Sequence, residues 1–87
     1  MIFEEKENDL NHFLKDLSSL YNSGEFSDVI FTVGTDKKKF KLHKNILSAR
    51  SSFFDDYFSK NNVNHIEFEN MNPIYFEIIV KYFYTGE

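Results

Sequence analysis

The sequence predicts one small α+β domain, a short β-sheet flanked by helices. Three observations carry that expectation. An apolar stripe at helical spacing occupies residues 10–21. A β-branched run, Val29 to Val33, leads through a turn into an alternating segment. Asn72-Pro73 opens a second apolar stripe near the end.

Residues 8–22 read as an amphipathic helix, because Leu10, Phe13, Leu14, Leu17, Leu20 and Tyr21 recur every three or four positions. Asn8 or Asp9 suits its start and Gly24 its stop. Val29-Ile30-Phe31-Thr32-Val33 reads as a buried strand. Gly34-Thr35-Asp36-Lys37 supplies a turn, and Lys39-Phe40-Lys41-Leu42 alternates as a half-buried return strand does. Two short helices follow. Residues 44–50 carry Ile46, Leu47 and Ala49; residues 52–59 carry the aromatic stripe Phe53, Phe54, Tyr57 and Phe58, expected to be core. Ser51-Ser52 can cap the second. Ile66-Glu67-Phe68 is a short strand. Asn72-Pro73 marks the clearest helix start, with Phe76, Ile79, Val80 and Phe83 as its apolar stripe and Thr85-Gly86 as its stop.

Composition limits what such a domain can do. With 87 residues there is room for one domain. Ten basic against 14 acidic residues give a net charge of −4, which disfavours binding nucleic acid through its phosphates. The absence of cysteine removes disulfides, thiolate metal sites and cysteine nucleophiles. Eleven Phe and five Tyr must be buried in a core or against a partner. The start is acidic and lacks a secretory apolar run, and the longest apolar run near the end is Ile78-Ile79-Val80. An intracellular protein without a membrane span, cytoplasmic or nuclear, is the expectation.

No catalytic constellation appears. His12, His43 and His65 lie 31 and 22 residues apart, outside short metal-ligand spacing. The glycines are isolated, so no phosphate loop exists, and no nucleophile elbow or paired-carboxylate motif is present. The reading is no enzyme, no cofactor and no metal. Lys37-Lys38-Lys39, the basic cluster, suits a solvated hairpin tip whose charge discourages strand pairing with other chains. The breadth of the 10–21 stripe suggests packing on a second copy.

Two segments and a terminus then point to a family. Phe26-Ser27-Asp28-Val29-Ile30-Phe31-Thr32-Val33 runs into Phe40-Lys41-Leu42-His43-Lys44-Asn45-Ile46-Leu47-Ser48-Ala49-Arg50-Ser51-Ser52-Phe53-Phe54, and the chain closes on Phe83-Tyr84-Thr85-Gly86. In this order and spacing they resemble a BTB/POZ domain over residues 10–87, with residues 1–9 as an acidic extension. The resemblance implies a protein–protein interaction module that homo- or heterodimerises, pairing with itself or another BTB protein. Many members serve as substrate adaptors for cullin-3 ubiquitin ligases.

It further implies site residues. The dimer interface would use Phe13, Leu14, Leu17 and Leu20, faced by the helix carrying Ile46 and Leu47. Asp28 and Lys44 match a buried charged pair, with His43 beside them; backbone capping by Asp28 and a packing role for His43 are the alternatives. Tyr57 and Phe58 would supply a cullin contact. Two departures stand out. Where cullin-3 binders often carry an apolar-x-Glu element, this chain has Val63 followed by His65. A complete domain of the family also continues past Tyr-Thr-Gly into a helical hairpin, so the resemblance makes residues 10–87 an incomplete domain. Neither nucleic acid nor membrane is an expected direct partner. A fragment that sequesters full-length relatives and a tetramerisation unit of the potassium-channel type are the other readings.

Overall fold

This computed structural model describes residues 6–86, the side chains of residues 6–14 excepted. Seven elements follow in order: α1 (Lys6–Ser23), β1 (Val29–Val33), β2 (Lys38–Leu42), α2 (Lys44–Arg50), α3 (Ser52–Lys60), β3 (His65–Phe68) and α4 (Pro73–Thr85). The sheet order is β2-β1-β3. β1 and β2 form an antiparallel hairpin that aligns Phe31 with Phe40, while β3 runs parallel to β1 and aligns Ile66 with Phe31. A parallel neighbour needs a crossover connection. The α2–α3 pair supplies it.

Alternation along β1 sends Val29, Phe31 and Val33 to one face, where they meet Phe40, Leu42 and Ile66 of the sheet. Leu47, Phe54, Phe76, Val80 and Tyr84 close the core from the helices. Phe31 is its hub. Its ring is fully buried and lies 5.3 Å from that of Phe76 and 5.7 Å from those of Phe54 and Phe68. Tilted and edge-on arrangements at these distances are the favourable ones for aromatic pairs. Thr32 points the other way, and its hydroxyl meets His65 Nε2 at 2.7 Å.

Helix ends follow local chemistry. Asn72 Oδ1 accepts the N–H of Ile74 at 2.8 Å, Pro73 fills the first helical position, and Gly86 ends α4 with a φ of 77°. Ser51 Oγ accepts the N–H of Phe54 at 3.3 Å to start α3. Gly34 is required twice over. Its φ is 84°, and a Cβ there would stand 2.7 Å from Pro73 Cγ, so the hairpin turn abuts the first residue of α4.

Three expectations are corrected. α1 already contains Lys6, so Asn8 and Asp9 lie within it rather than at its start. In α3 the aromatic stripe is not uniformly core: Phe54 is buried, Tyr57 and Phe58 are half-buried, and Phe53 is 64% exposed. In α4, Phe76 and Val80 are buried, but Ile79 faces out at 50% exposure. Both helices are apolar around more of their circumference than one face can bury, so periodicity alone does not pick the inner side.

Candidate interaction surfaces

β1, β2 and α2 meet at the start of α2, where the Asp28 N–H donates to the Leu42 carbonyl at 3.0 Å. His43 occupies the N-cap position of α2 but gives it no side-chain cap. The cap comes from across the hairpin, where Asp28 Oδ1 accepts the Lys44 N–H at 2.8 Å. A carboxylate at a helix N-terminus satisfies an orphan donor and opposes the positive end of the helix dipole. Of the two readings left open for Asp28, the backbone cap is the one found here: Asp28 is exposed and accepts the N–H of Lys44 instead of pairing with its ammonium. The Lys44 ammonium instead lies over the Phe58 ring, 5.6 Å from its centroid.

His43 itself is buried. Its backbone N–H donates to Tyr84 Oη at 2.8 Å, its Nδ1 lies 2.6 Å from the same oxygen, and its Nε2 lies 2.6 Å from the Glu25 carbonyl. A carbonyl only accepts, so Nε2 donates its N–H to Glu25, and Nδ1 faces the Tyr84 hydroxyl. Every polar atom in this knot is paired. Burial pushes the Tyr84 hydroxyl well above the usual tyrosine range; the His43 N–H acts in the opposite direction, and Asp28 and Tyr21 add to the rise. Tyr21 is also raised, by burial and then by Glu77.

α1 joins this knot at its C-terminal end, where the Tyr21 and Tyr84 rings lie 5.2 Å apart. Farther back, Leu17 and Leu20 are half-buried yet belong neither to the core nor to the partly buried ring packed on it. Phe13 and Leu14 fall outside the residues whose side chains are described. Of the two α2 residues expected opposite, Ile46 is half-buried on the rim of the core. Leu47 is fully buried among the core side chains. It supports α2 from beneath and presents nothing to a partner, which corrects its place in the expected interface.

Two further apolar surfaces are exposed, on α4 and on the α3 stripe that the sequence placed in the core. The outer side of α4 exposes Ile74, Tyr75, Ile78, Ile79 and Tyr82, each between 49% and 66%. On α3, the exposed Phe53 stacks on Tyr57 at 6.4 Å with 14° between ring planes. Phe53 and Tyr57 also wall an apolar socket of about 60 Å³ with Phe54, Ile66 and Phe68. Phe26 is 88% exposed and holds a φ of 62°, a left-handed conformation that a bulky side chain seldom takes. The lysine cluster at the hairpin tip is exposed; Lys37 pairs with Glu67 at 3.6 Å and Lys38 with Glu77 at 3.2 Å. Among the described residues no cluster of three or more His, Asp or Glu could hold a metal ion, and no helix is long and apolar enough to cross a membrane.

Comparison with known proteins gives this geometry its family. Residues 17–87 match the BTB/POZ domain. The proteins of Gallus gallus, Homo sapiens and Mus musculus called zinc finger and BTB domain-containing protein 14 are each 34% identical over 88 residues, covering 94% of this chain and 19% of the relative. Zinc finger and BTB domain-containing protein 37 of Homo sapiens is 31% identical over 77 residues, covering 87% of this chain and 15% of the relative. The chain thus spans a fifth or less of the length of these curated relatives. Among solved structures, the BTB domain of zebrafish PATZ1 matches with a TM-score of 0.79 at 26% identity, over 100% of this chain and 71% of that one. The α+β fold, the quoted sequence segments and these matches agree: the chain belongs to the BTB/POZ domain family, generally a family of protein–protein interaction modules.

Proposed function

We propose that residues 10–87 act as an association module that pairs through α1 with a second copy or with another BTB/POZ domain. The observation that carries this reading is the position of Leu17 and Leu20, half-buried on α1 without a place in the core. Phe13 and Leu14 continue the same stripe in the sequence, and Ile46 lies at the rim of the core on α2. Leucines in such a stripe release water when a second apolar surface covers them, at about 25 cal/mol per Å². Residues 1–9 are the module's acidic lead-in, of which Lys6 onward already belongs to α1. Relatives named as zinc finger and BTB proteins support an intracellular setting, nuclear or cytoplasmic.

The test is absolute mass by light scattering over a concentration series. The wild-type chain is expected as a dimer, and Leu17→Asp with Leu20→Asp as a folded monomer. A wild-type chain that stays monomeric at 100 μM, on the order of a weak encounter, removes the reading. A tetramer would favour the channel-type assembly instead. Hetero-oligomers formed with a full-length relative would favour a sequestering role.

A second reading, a cullin-3 contact, draws support from the exposed Phe53 stacked on Tyr57 beside Phe58. His65 stands where a glutamate is usual in cullin-3 binders of the family. Titration with the N-terminal domain of cullin-3 decides it: loss of binding on Tyr57→Ala supports the contact, and absence of binding by the wild type removes it.

A further inference from the structure

β3 is an edge strand, and its free side is defined by the ladder on its other side. The Ile30 N–H donates to the Asn64 carbonyl at 2.9 Å and the Gly34 N–H to the Phe68 carbonyl at 2.8 Å. Bonding groups alternate along a strand, so Asn64, Ile66 and Phe68 face β1. The N–H and C=O of His65 and Glu67 therefore point off the sheet, where no strand lies beside them among the described residues. Such a row of open groups is a template for one more strand.

The ground beside that edge is chemically divided. On the α3 side is the apolar socket of about 60 Å³, walled by Phe53, Phe54, Tyr57, Ile66 and Phe68. Continuing from Phe68 is an open groove whose walls include Glu67, Glu69, Asn70 and Met71. Glu69 makes no ion pair among the described residues. Among the described residues Glu67 pairs with Lys37 alone, at 3.6 Å and with both side chains more than half exposed, a contact that contributes little and yields readily.

We propose that the β3 edge takes up an extended basic peptide segment of a partner protein, in which an aliphatic residue alternates with lysine or arginine. The peptide backbone pairs with His65 and Glu67. One aliphatic side chain enters the socket, and its neighbours, facing the opposite side of the added strand, lie beside Glu67 and Glu69. Strand addition of this kind draws affinity from main-chain hydrogen bonds and specificity from pockets for alternate side chains. Cross-strand pairs of opposite charge then select the basic sequence. The site is separate from the α1 face. It shares Tyr57 with the cullin reading without depending on it.

The experiment titrates the full chain with a fluorescein-labelled nine-residue peptide alternating valine with lysine. Two companion probes carry glutamate for lysine, or N-methyl groups on the peptide amides that would face β3. The lysine peptide is expected to bind with amide shifts at His65 and Glu67, and both companions at least tenfold more weakly. Glu67→Lys with Glu69→Lys, at exposed positions, is expected to reverse the preference between lysine and glutamate peptides. Phe53→Ser, also exposed, is expected to weaken both. Equal binding of the N-methylated peptide, or shifts confined to other acidic surfaces, reduces the effect to bulk charge and overturns the proposal. A β3 edge already protected by a second copy, with no peptide uptake, overturns it too. Leu17→Asp with Leu20→Asp separates this outcome from the α1 reading: the peptide titration is expected to be unchanged when association through α1 is lost.

Discussion

The Tyr84 hydroxyl closes two bonds on His43 at once, accepting its backbone N–H at 2.8 Å and meeting its Nδ1 at 2.6 Å. One residue of α4 thus completes the N-terminal end of α2. Since His43 Nε2 also reaches the Glu25 carbonyl, the knot ties three chain segments together. Replacing Tyr84 with Phe keeps the ring and leaves two buried groups of His43 without their partner. The expected cost is about 1–3 kcal/mol for unsatisfied buried polar groups. In a domain of this size, that lowers the melting temperature by several degrees for each kcal/mol, roughly 4–8 °C. A melt within a degree of wild type would show that the hydroxyl is dispensable.

The same hydroxyl sets an alkaline limit. Its folded-state pKa lies above the value of about 10 expected for an unfolded chain. Between those values the unfolded chain has released the proton and the folded one has kept it, so stability falls as pH rises. The contribution is complete below about pH 10 and declines above it. Urea midpoints measured from pH 8 to 11 are expected to drop at the alkaline end. The Tyr84→Phe variant should show a shallower drop, with Tyr21, raised for the same reason, providing the remainder.

Asp28 is expected to act on α2 before it acts on any partner. Asp28→Ala removes the acceptor for the Lys44 N–H, and loss of a cap costs about 0.5–2 kcal/mol. Asp28→Asn retains an oxygen acceptor and should recover most of that loss. Denaturation of the three proteins checks the order. If Asp28→Asn weakens association while leaving the melting temperature intact, the carboxylate has a role at a partner surface besides its cap.

Phe26 holds a left-handed backbone with its ring almost fully exposed. For an L-residue with a Cβ that conformation costs about 1–2 kcal/mol relative to glycine's freedom. Phe26→Gly is therefore expected to raise stability in the isolated chain, after some loss to the greater entropy of the unfolded state. A fall in melting temperature would mean that the ring is held by contacts within a dimer. Melts at two protein concentrations separate the cases.

Most of the secondary structure was legible because its signals are local. Asn72-Pro73 and Gly86 bracket α4 through chemistry confined to neighbouring residues, and the alternation of Phe40 and Leu42 states which side of β2 is inside. The surface was less legible. Ile79 and Phe53 sit on helices with apolar residues on several sides, and only the packing of α4 and α3 shows which are left out. Leu47 read as surface from the family resemblance and is core. Asp28 and Lys44 are 16 residues apart, and that a carboxylate there meets a backbone amide rather than an ammonium depends on how β1 lies against the start of α2. The β3 edge with its socket has no sequence signature at all, because it joins residues of two elements across a loop.

The parallel pairing of β1 with β3 also has a consequence in time. β1 can zip to β2 as soon as the hairpin is made, but its other edge waits for a strand some 35 residues later. At translation rates of about 5–20 residues per second, that edge stands open for roughly 2–7 s. The nascent chain carries a half-finished sheet through that interval, with Val29, Phe31 and Val33 not yet covered by α4. Closing the longer loop to β3 also costs more chain entropy than closing the hairpin does. His65 to Phe68 are thus the first residues that can close the second edge of β1, and the core under it is complete only when α4 follows.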